Sequence, residues 1–75
     1  MNIGEIYKVN GTDYVVIGGS KSTETATVVP MDKTNDVEKH FRPMDIAALT
    51  EHIGEIETSL LTQMRNKIKT MLGWA

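Results

Sequence analysis

Hydrophobic residues in the last third of the chain recur every three or four positions. They are Ile56, Leu60, Leu61, Met64, Ile68, Met71 and Leu72. This spacing places the side chains on one face of a helix, which must pack against another part of the protein. Acidic residues near the start and basic residues near the end match the helix dipole. The pattern predicts an amphipathic helix over about residues 55–72.

The first half of the chain has the shorter alternation that is typical of β-strands. Residues 5–9 alternate before Asn10-Gly11, a dipeptide that favours the type I′ turn, and residues 13–17 resume with β-branched residues. These residues predict a β-hairpin, and residues 25–31 predict a third strand.

Two further elements are predicted before the long helix. Residues 37–42 follow a polar turn and predict a fourth strand, with Val37, Lys39 and Phe41 on one side. A proline then opens a short helical turn over about residues 44–50. The chain is therefore expected to be α+β and mainly β, with its strands inside residues 3–42.

Composition narrows the class of protein. A chain of 75 residues forms one domain, and so small a core favours a stabilising second copy, so a homodimer is expected. Because there is no cysteine and there are only two histidines, neither a metal site nor a cofactor is expected. A net charge of −2 disfavours general nucleic-acid binding. With no signal peptide and no apolar run of about 20 residues, a cytoplasmic protein without membrane contact is expected.

Two stretches of the sequence carry a resemblance to a known family. The first is Gly4-Glu5-Ile6-Tyr7-Lys8-Val9, followed by Tyr14-Val15-Val16-Ile17 and Thr27-Val28-Val29-Pro30-Met31. The second runs from Phe41-Arg42-Pro43-Met44-Asp45 to Leu49-Thr50-Glu51-His52-Ile53-Gly54-Glu55-Ile56. They are similar to the "GEIYxV … VVVI … TVxVxPI" strands and to the "IRxxDxxxLxxxIGxL" segment of MazF. The chain thus resembles the toxin superfamily of the MazF/PemK ribonucleases and the CcdB gyrase poisons.

The resemblance implies a small SH3-like barrel of four to five antiparallel strands, a short helical turn and one C-terminal helix. It also implies a homodimer that an antitoxin neutralises. The catalytic members carry an arginine before the second strand and a threonine or serine after the third, where this chain has Asp13 and Asp32. Because a carboxylate has the wrong sign for stabilising negative charge at a phosphate, binding is favoured over RNA cleavage.

Other residues keep a ribonuclease alternative open. The catalytic candidates are Arg42, Thr34 and His40. His40 and Arg42 are two positions apart, which would place them on one face of the predicted fourth strand. The candidates for binding RNA or DNA are Lys21, Lys39 and Arg42. In a simpler interpretation, Arg42 pairs with Asp45 and His40 is a solvated strand residue.

The end of the chain resembles CcdB, whose terminal helix ends in a tryptophan-glycine-aliphatic sequence that inserts into gyrase. The candidates for contacting a protein partner are Met71, Gly73 and Trp74. Tryptophan is enriched at interface hot spots, which favours insertion into a partner pocket. A hydrophobic residue after a C-capping glycine also packs back onto its own helix, and both interpretations stay open.

Three functions are therefore predicted in order of preference. The first is a toxin-like or mobile-element-encoded protein, from a phage or plasmid, that inhibits growth by binding a gyrase-like target and is itself bound by an antitoxin. The alternative is a divergent sequence-specific endoribonuclease, an mRNA interferase. The second alternative is an SH3-like regulatory module that binds nucleic acid.

Overall fold

The computed structural model describes residues 2–68, which form an α+β fold that is mainly β. The strands are β1 (Glu5–Val9), β2 (Thr12–Ser20), β3 (Thr25–Pro30), β4 (Arg42–Asp45) and β5 (Glu51–Glu55). The α-helices within this range are α1 (Val37–His40) and α2 (Thr58–Ile68). Two 3-10 helices lie in the connections, Met31–Asp36 before α1 and Ile46–Ala48 between β4 and β5.

The predicted hairpin between β1 and β2 is confirmed. Asn10 and Gly11 form its turn with φ angles of 51° and 80°, and a type I′ turn requires positive values at both positions. The register pairs Tyr7 with Tyr14. Since directly opposed residues point to the same side of a sheet, the two tyrosines share one face.

The strands form one antiparallel sheet in the order β4-β3-β2-β1-β5. The first four strands pair with their neighbours in sequence, and β5 returns to pair with β1. Strands β4 and β5 are therefore the two edges. Within residues 2–68 the sheet is open, so the structure has the expected antiparallel strands without the closure of a barrel.

Hydrophobic clusters cover both faces of the central strands. On one face α1 and α2 pack against the sheet, and the buried residues are Val15, Ile17, Val29, Val37, Met64 and Ile68. The buried residues on the other face are Tyr7, Tyr14, Val16, Ala26, Val28 and Leu49. Successive residues of β2 alternate between these clusters, as the pleat of a strand requires. We call them the helix-side cluster and the tyrosine-side cluster.

The prediction of a strand over residues 37–42 is wrong. Val37–His40 form helix α1, and the N–H of Phe41 donates to the carbonyl oxygen of Val37 at 3.0 Å. Both of these side chains pack in the helix-side cluster, while Lys39 is exposed. A spacing of four residues fits one helical turn as well as a strand, and the burial of Val37 against α2 favours the helix.

The boundaries before α2 also differ from the prediction. The helical turn expected over residues 44–50 is limited to Ile46–Ala48, and α2 begins at Thr58 rather than near residue 55. Residues Glu51–Glu55 form β5 instead, because β1 offers their backbone groups hydrogen-bond partners.

The amphipathic face of α2 is confirmed within the described residues. The side chains that pack in the helix-side cluster are Leu60, Leu61, Met64 and Ile68. On the same helix, Nη1 of Arg65 donates to the carbonyl oxygen of Ile17 at 2.9 Å. Ile17 is the extra residue of a β-bulge in β2, so Arg65 satisfies a carbonyl at a local irregularity of the sheet. The predicted end of the helix near residue 72 lies outside the described residues.

Candidate functional site

A shallow hollow of about 310 Å³ lies beside the turn between β1 and β2. Its lining residues are Gly11, Thr12, Asp13, Met31 and Asp32. The register pairs Tyr14 with Pro30, so the residue before Tyr14 lies next to the residues after Pro30. The fold therefore brings together Asp13 and Asp32, the two positions at which the sequence departs from the catalytic MazF pattern.

The hollow is acidic. The carboxylate oxygen Oδ1 of Asp13 lies 3.1 Å from Nζ of Lys8, and both side chains are 40% exposed. Water screens an ion pair at that exposure, so the pair contributes little to stability. Asp32 is exposed in the first turn of the 3-10 helix that follows β3. Two carboxylates in one hollow favour the approach of a cationic group and disfavour a phosphate.

Arg42 is held against an aromatic ring. It lies on the edge strand β4, and its Cζ atom is 4.9 Å from the centroid of the Tyr14 ring. Its Nη2 also donates to the hydroxyl of Tyr14. A cation over a ring near the surface contributes about 0.5–1 kcal/mol. The guanidinium thus contacts Tyr14, whereas the simpler interpretation of the sequence paired it with Asp45.

The other catalytic candidates lie on different elements. His40 ends α1, where its Nε2 is 3.4 Å from Oδ2 of Asp36, and Thr34 lies in the 3-10 helix before α1. The expectation that His40 and Arg42 share one face of a strand is wrong, because residue 40 is helical. The contacts of His40 and Arg42 within residues 2–68 do not join the three candidates into one site.

The nucleic-acid candidates lie on three elements. Lys21 is in the turn between β2 and β3, Lys39 on α1 and Arg42 on β4. Their role in binding RNA or DNA stays a prediction. The predicted partner-binding residues Met71, Gly73 and Trp74 lie outside the described residues, so their role stays a prediction.

The structure forms a polar cluster that the sequence does not predict. Glu5 and Tyr7 of β1 meet His52 and Glu55 of β5, and the rings of Tyr7 and His52 have their centroids 5.2 Å apart. The sequence predicts no strand over residues 51–55, which lie between the predicted helical turn over about residues 44–50 and the predicted helix over about residues 55–72, so it gives no reason to place His52 and Glu55 beside β1.

Comparison with protein-family models, with curated proteins and with solved structures gives no match for this chain. None of the helices in residues 2–68 has the length and hydropathy needed to cross a bilayer.

Proposed function

We propose that this chain is a binding protein of the MazF/CcdB kind, which acts in the cytoplasm as a homodimer and inhibits growth through a contact with a protein target. In this proposal its activity does not include RNA cleavage, and an antitoxin is a second partner. The observation that carries the proposal is the shared position of Asp13 and Asp32 in one hollow.

The charge of this hollow supports binding over cleavage. RNA cleavage develops negative charge at a phosphate, and catalysis requires positive or hydrogen-bond-donating groups there. Asp13 and Asp32 supply carboxylates, and Asp13 already engages the nearby cation Lys8. The guanidinium of Arg42 is engaged with the side chain of Tyr14, which belongs to the tyrosine-side cluster. The hollow is therefore better suited to a lysine or arginine of a protein partner than to a phosphodiester.

The cluster on the second face of the sheet supports the SH3-like part of the proposal. Val9 of β1 and Met44 of β4 pack against the tyrosine-side cluster, whose buried strand residues lie on β1, β2 and β3. Leu49, in the connection before β5, joins the same cluster. One hydrophobic cluster along four of the five strands is what the interior of a small, partly open barrel would have.

The first test combines growth with RNA integrity. Induced expression of the full chain in a bacterium should slow growth, while the purified protein should leave a long RNA intact in primer-extension mapping. Asp32→Lys reverses the charge of the hollow and should relieve the growth defect. Asp45→Lys makes the same change at an exposed residue on β4 and should keep the defect at equal protein level.

A second test concerns the last three residues of the sequence, which include Gly73 and Trp74. Inhibition of DNA supercoiling by purified gyrase should occur with the full chain and be lost when the chain ends at Leu72, with circular dichroism to show that both proteins are folded. Sequence-specific RNA fragments that disappear in Arg42→Ala would overturn the binding proposal in favour of the ribonuclease. Normal growth during expression of the full chain would overturn the toxin-like function itself.

A further inference from the structure

The polar cluster between β1 and β5 has the composition of a metal site. Glu5, His52 and Glu55 each offer a ligand atom, and these atoms all lie within 4.8 Å of one another. The register explains the proximity, because Glu5 is opposite Glu55 and Tyr7 is opposite His52. One imidazole and two carboxylates form a mixed nitrogen and oxygen donor set, which suits a transition metal better than an alkaline-earth ion.

A β-bulge places the histidine on the same side as the two glutamates. In a regular strand His52 and Glu55, three positions apart, would point to opposite faces. Here Ile6 pairs with Gly54 and Tyr7 with His52, so Ile53 is an extra residue in β5. The extra residue reverses the alternation once and brings all the donors to one face. Bulges that re-aim a side chain in this way are over-represented beside functional sites.

Hydrogen bonds hold the carboxylate of Glu5 in place. Its Oε1 accepts hydrogen bonds from the backbone N–H of Asn2 at 2.6 Å and from the hydroxyl of Tyr7 at 2.9 Å. Its Oε2 lies 3.8 Å from Nε2 of His52. One oxygen is thus fixed by neighbours and the other is directed towards the imidazole, as second-shell contacts do in metal sites.

The imidazole of His52 is oriented as well. Its ring lies against the ring of Tyr7 with an angle of 35° between their planes. Its Nε2 is 2.9 Å from the carbonyl oxygen of Gly54. The same Nε2 lies 3.8 Å from Oε2 of Glu5, so an ion bound between them takes the place of the Gly54 carbonyl as the partner of this nitrogen.

The two glutamates give an independent reason for a cation at this place. Like charges directly opposite each other on neighbouring strands destabilise a sheet. Glu5 and Glu55 are such a pair, and Glu5 is largely buried, with 14% of its side chain exposed. A divalent ion between the carboxylates converts this repulsion into coordination.

We propose that Glu5, His52 and Glu55 bind one divalent transition-metal ion, with Zn²⁺ as the ion that fits best. Zinc ligands at about 2.0–2.2 Å in tetrahedral geometry are separated by roughly 3.4 Å. Since the donor atoms are already within 4.8 Å, rotations of the exposed His52 and Glu55 side chains complete the site. Water occupies the remaining position, so the site resembles zinc centres that keep an open coordination position.

The test is a Zn²⁺ titration of the full chain, after treatment with a chelator, by competition with a chromophoric zinc indicator. The wild type should bind one ion per chain, and excess Mg²⁺ should not displace it. His52→Ala and Glu55→Gln should each weaken binding by at least about tenfold, because each removes a ligand. His40→Ala removes the other histidine, which pairs with Asp36 on α1, and should bind as the wild type does.

A thermal readout separates loss of ligand from loss of fold. Zn²⁺ should raise the unfolding temperature of the wild type and of His40→Ala, because an ion that binds the folded state stabilises it. It should not raise that of His52→Ala or Glu55→Gln, which change exposed residues. Equal zinc affinity for the wild type and His52→Ala, or loss of binding in His40→Ala, would overturn the proposal.

Discussion

The backbone at Gly4, just before β1, can be tested by substitution, with Gly11 in the β1–β2 turn and Gly54 in β5 as comparisons. Gly4 has a φ of +97°, and a Cβ atom built on it would lie 3.2 Å from Cδ2 of Leu61. Its N–H donates to the carbonyl oxygen of Val16 at 2.7 Å, and its carbonyl oxygen accepts from the N–H of Ile56 at 2.8 Å. These two bonds join the first residues to β2 and to the connection before α2. The backbone of Gly4 therefore has little freedom to adjust to a side chain.

The expected cost of Gly4→Ala follows from these contacts. A positive φ costs a non-glycine residue about 1–3 kcal/mol, and the close contact with Leu61 adds about 1 kcal/mol of overpacking. Loss of flexibility in the unfolded chain offsets about 0.4–1 kcal/mol. The free energy of unfolding should fall by about 1–3.6 kcal/mol, which lowers the melting temperature by roughly 5–30 °C.

Two other glycines separate the cost of a positive φ from the cost of the close contact with Leu61. At Gly11 the φ is +80°, but nothing lies within 4 Å of a new Cβ atom, so Gly11→Ala should cost only the strain, about 1 kcal/mol net. At Gly54 neither a positive φ nor a close contact is present, so Gly54→Ala should stabilise by about 0.4–1 kcal/mol.

Urea titrations followed by far-ultraviolet circular dichroism measure all three variants in the same way. If Gly4→Ala unfolds at the same urea concentration as Gly54→Ala, the reasoning about Gly4 is refuted. A Gly11→Ala variant less stable than Gly4→Ala would also refute it, because it would show that the contact with Leu61 has no cost.

Three further predictions concern the core, the helix and the response to acid. Met64 is 1% exposed, so Met64→Ala should lower the free energy of unfolding by about 2–5 kcal/mol. The control Gln63→Ala changes an exposed neighbour and should stay within about 0.5 kcal/mol of the wild type. Equal urea midpoints for the two variants would contradict this prediction. Arg65→Met keeps most of the side chain but loses the hydrogen bond to Ile17. The same titration should show a fall of about 1–2 kcal/mol in the free energy of unfolding. An unchanged free energy of unfolding would mean that the bond is absent in solution. The pKa of Glu5 in the folded protein lies below its ordinary value of 4.5. The ionised carboxylate therefore stabilises the fold at pH values above 4.5, and this stabilisation is lost as the pH falls through the lower pKa of the folded state. Urea midpoints from about pH 7 to about pH 3 should therefore decline more steeply for the wild type than for Glu5→Gln, and parallel curves would contradict the shift.

The parts of the fold that the sequence predicts are those with local signals. The β1–β2 hairpin follows from Asn10-Gly11, the alternation before it and the β-branched residues after it, because the turn fixes the register. The buried face of α2 follows from apolar spacing, as Met64 and Ile68 confirm. In both cases the determining contacts are close in sequence or are repeated along one element.

The parts that the sequence does not predict depend on distant pairing. Strand β5 is short and exposed at four of its five residues, so no apolar alternation marks it, and only β1 decides its conformation. Val37 and Phe41 fit a strand and a helical turn equally well until α2 is present to bury them. The candidate metal site needs Glu5 next to Glu55. These residues lie on β1 and β5, which are adjacent in the sheet but far apart in the sequence, so residue spacing does not show the pairing.

The bulge at Ile53 has a consequence for how this chain changes over evolutionary time. Ile53 lies between the pairs Ile6–Gly54 and Tyr7–His52 and is opposite no residue of β1. An in-frame deletion of its codon would leave His52 and Glu55 two positions apart, and a regular strand would then present both side chains on the face of Glu5. A substitution at Ile53, which is 44% exposed, would also leave the geometry intact. In related genes the three ligands would therefore be a better marker of the site than the residue at this position or the length of the segment.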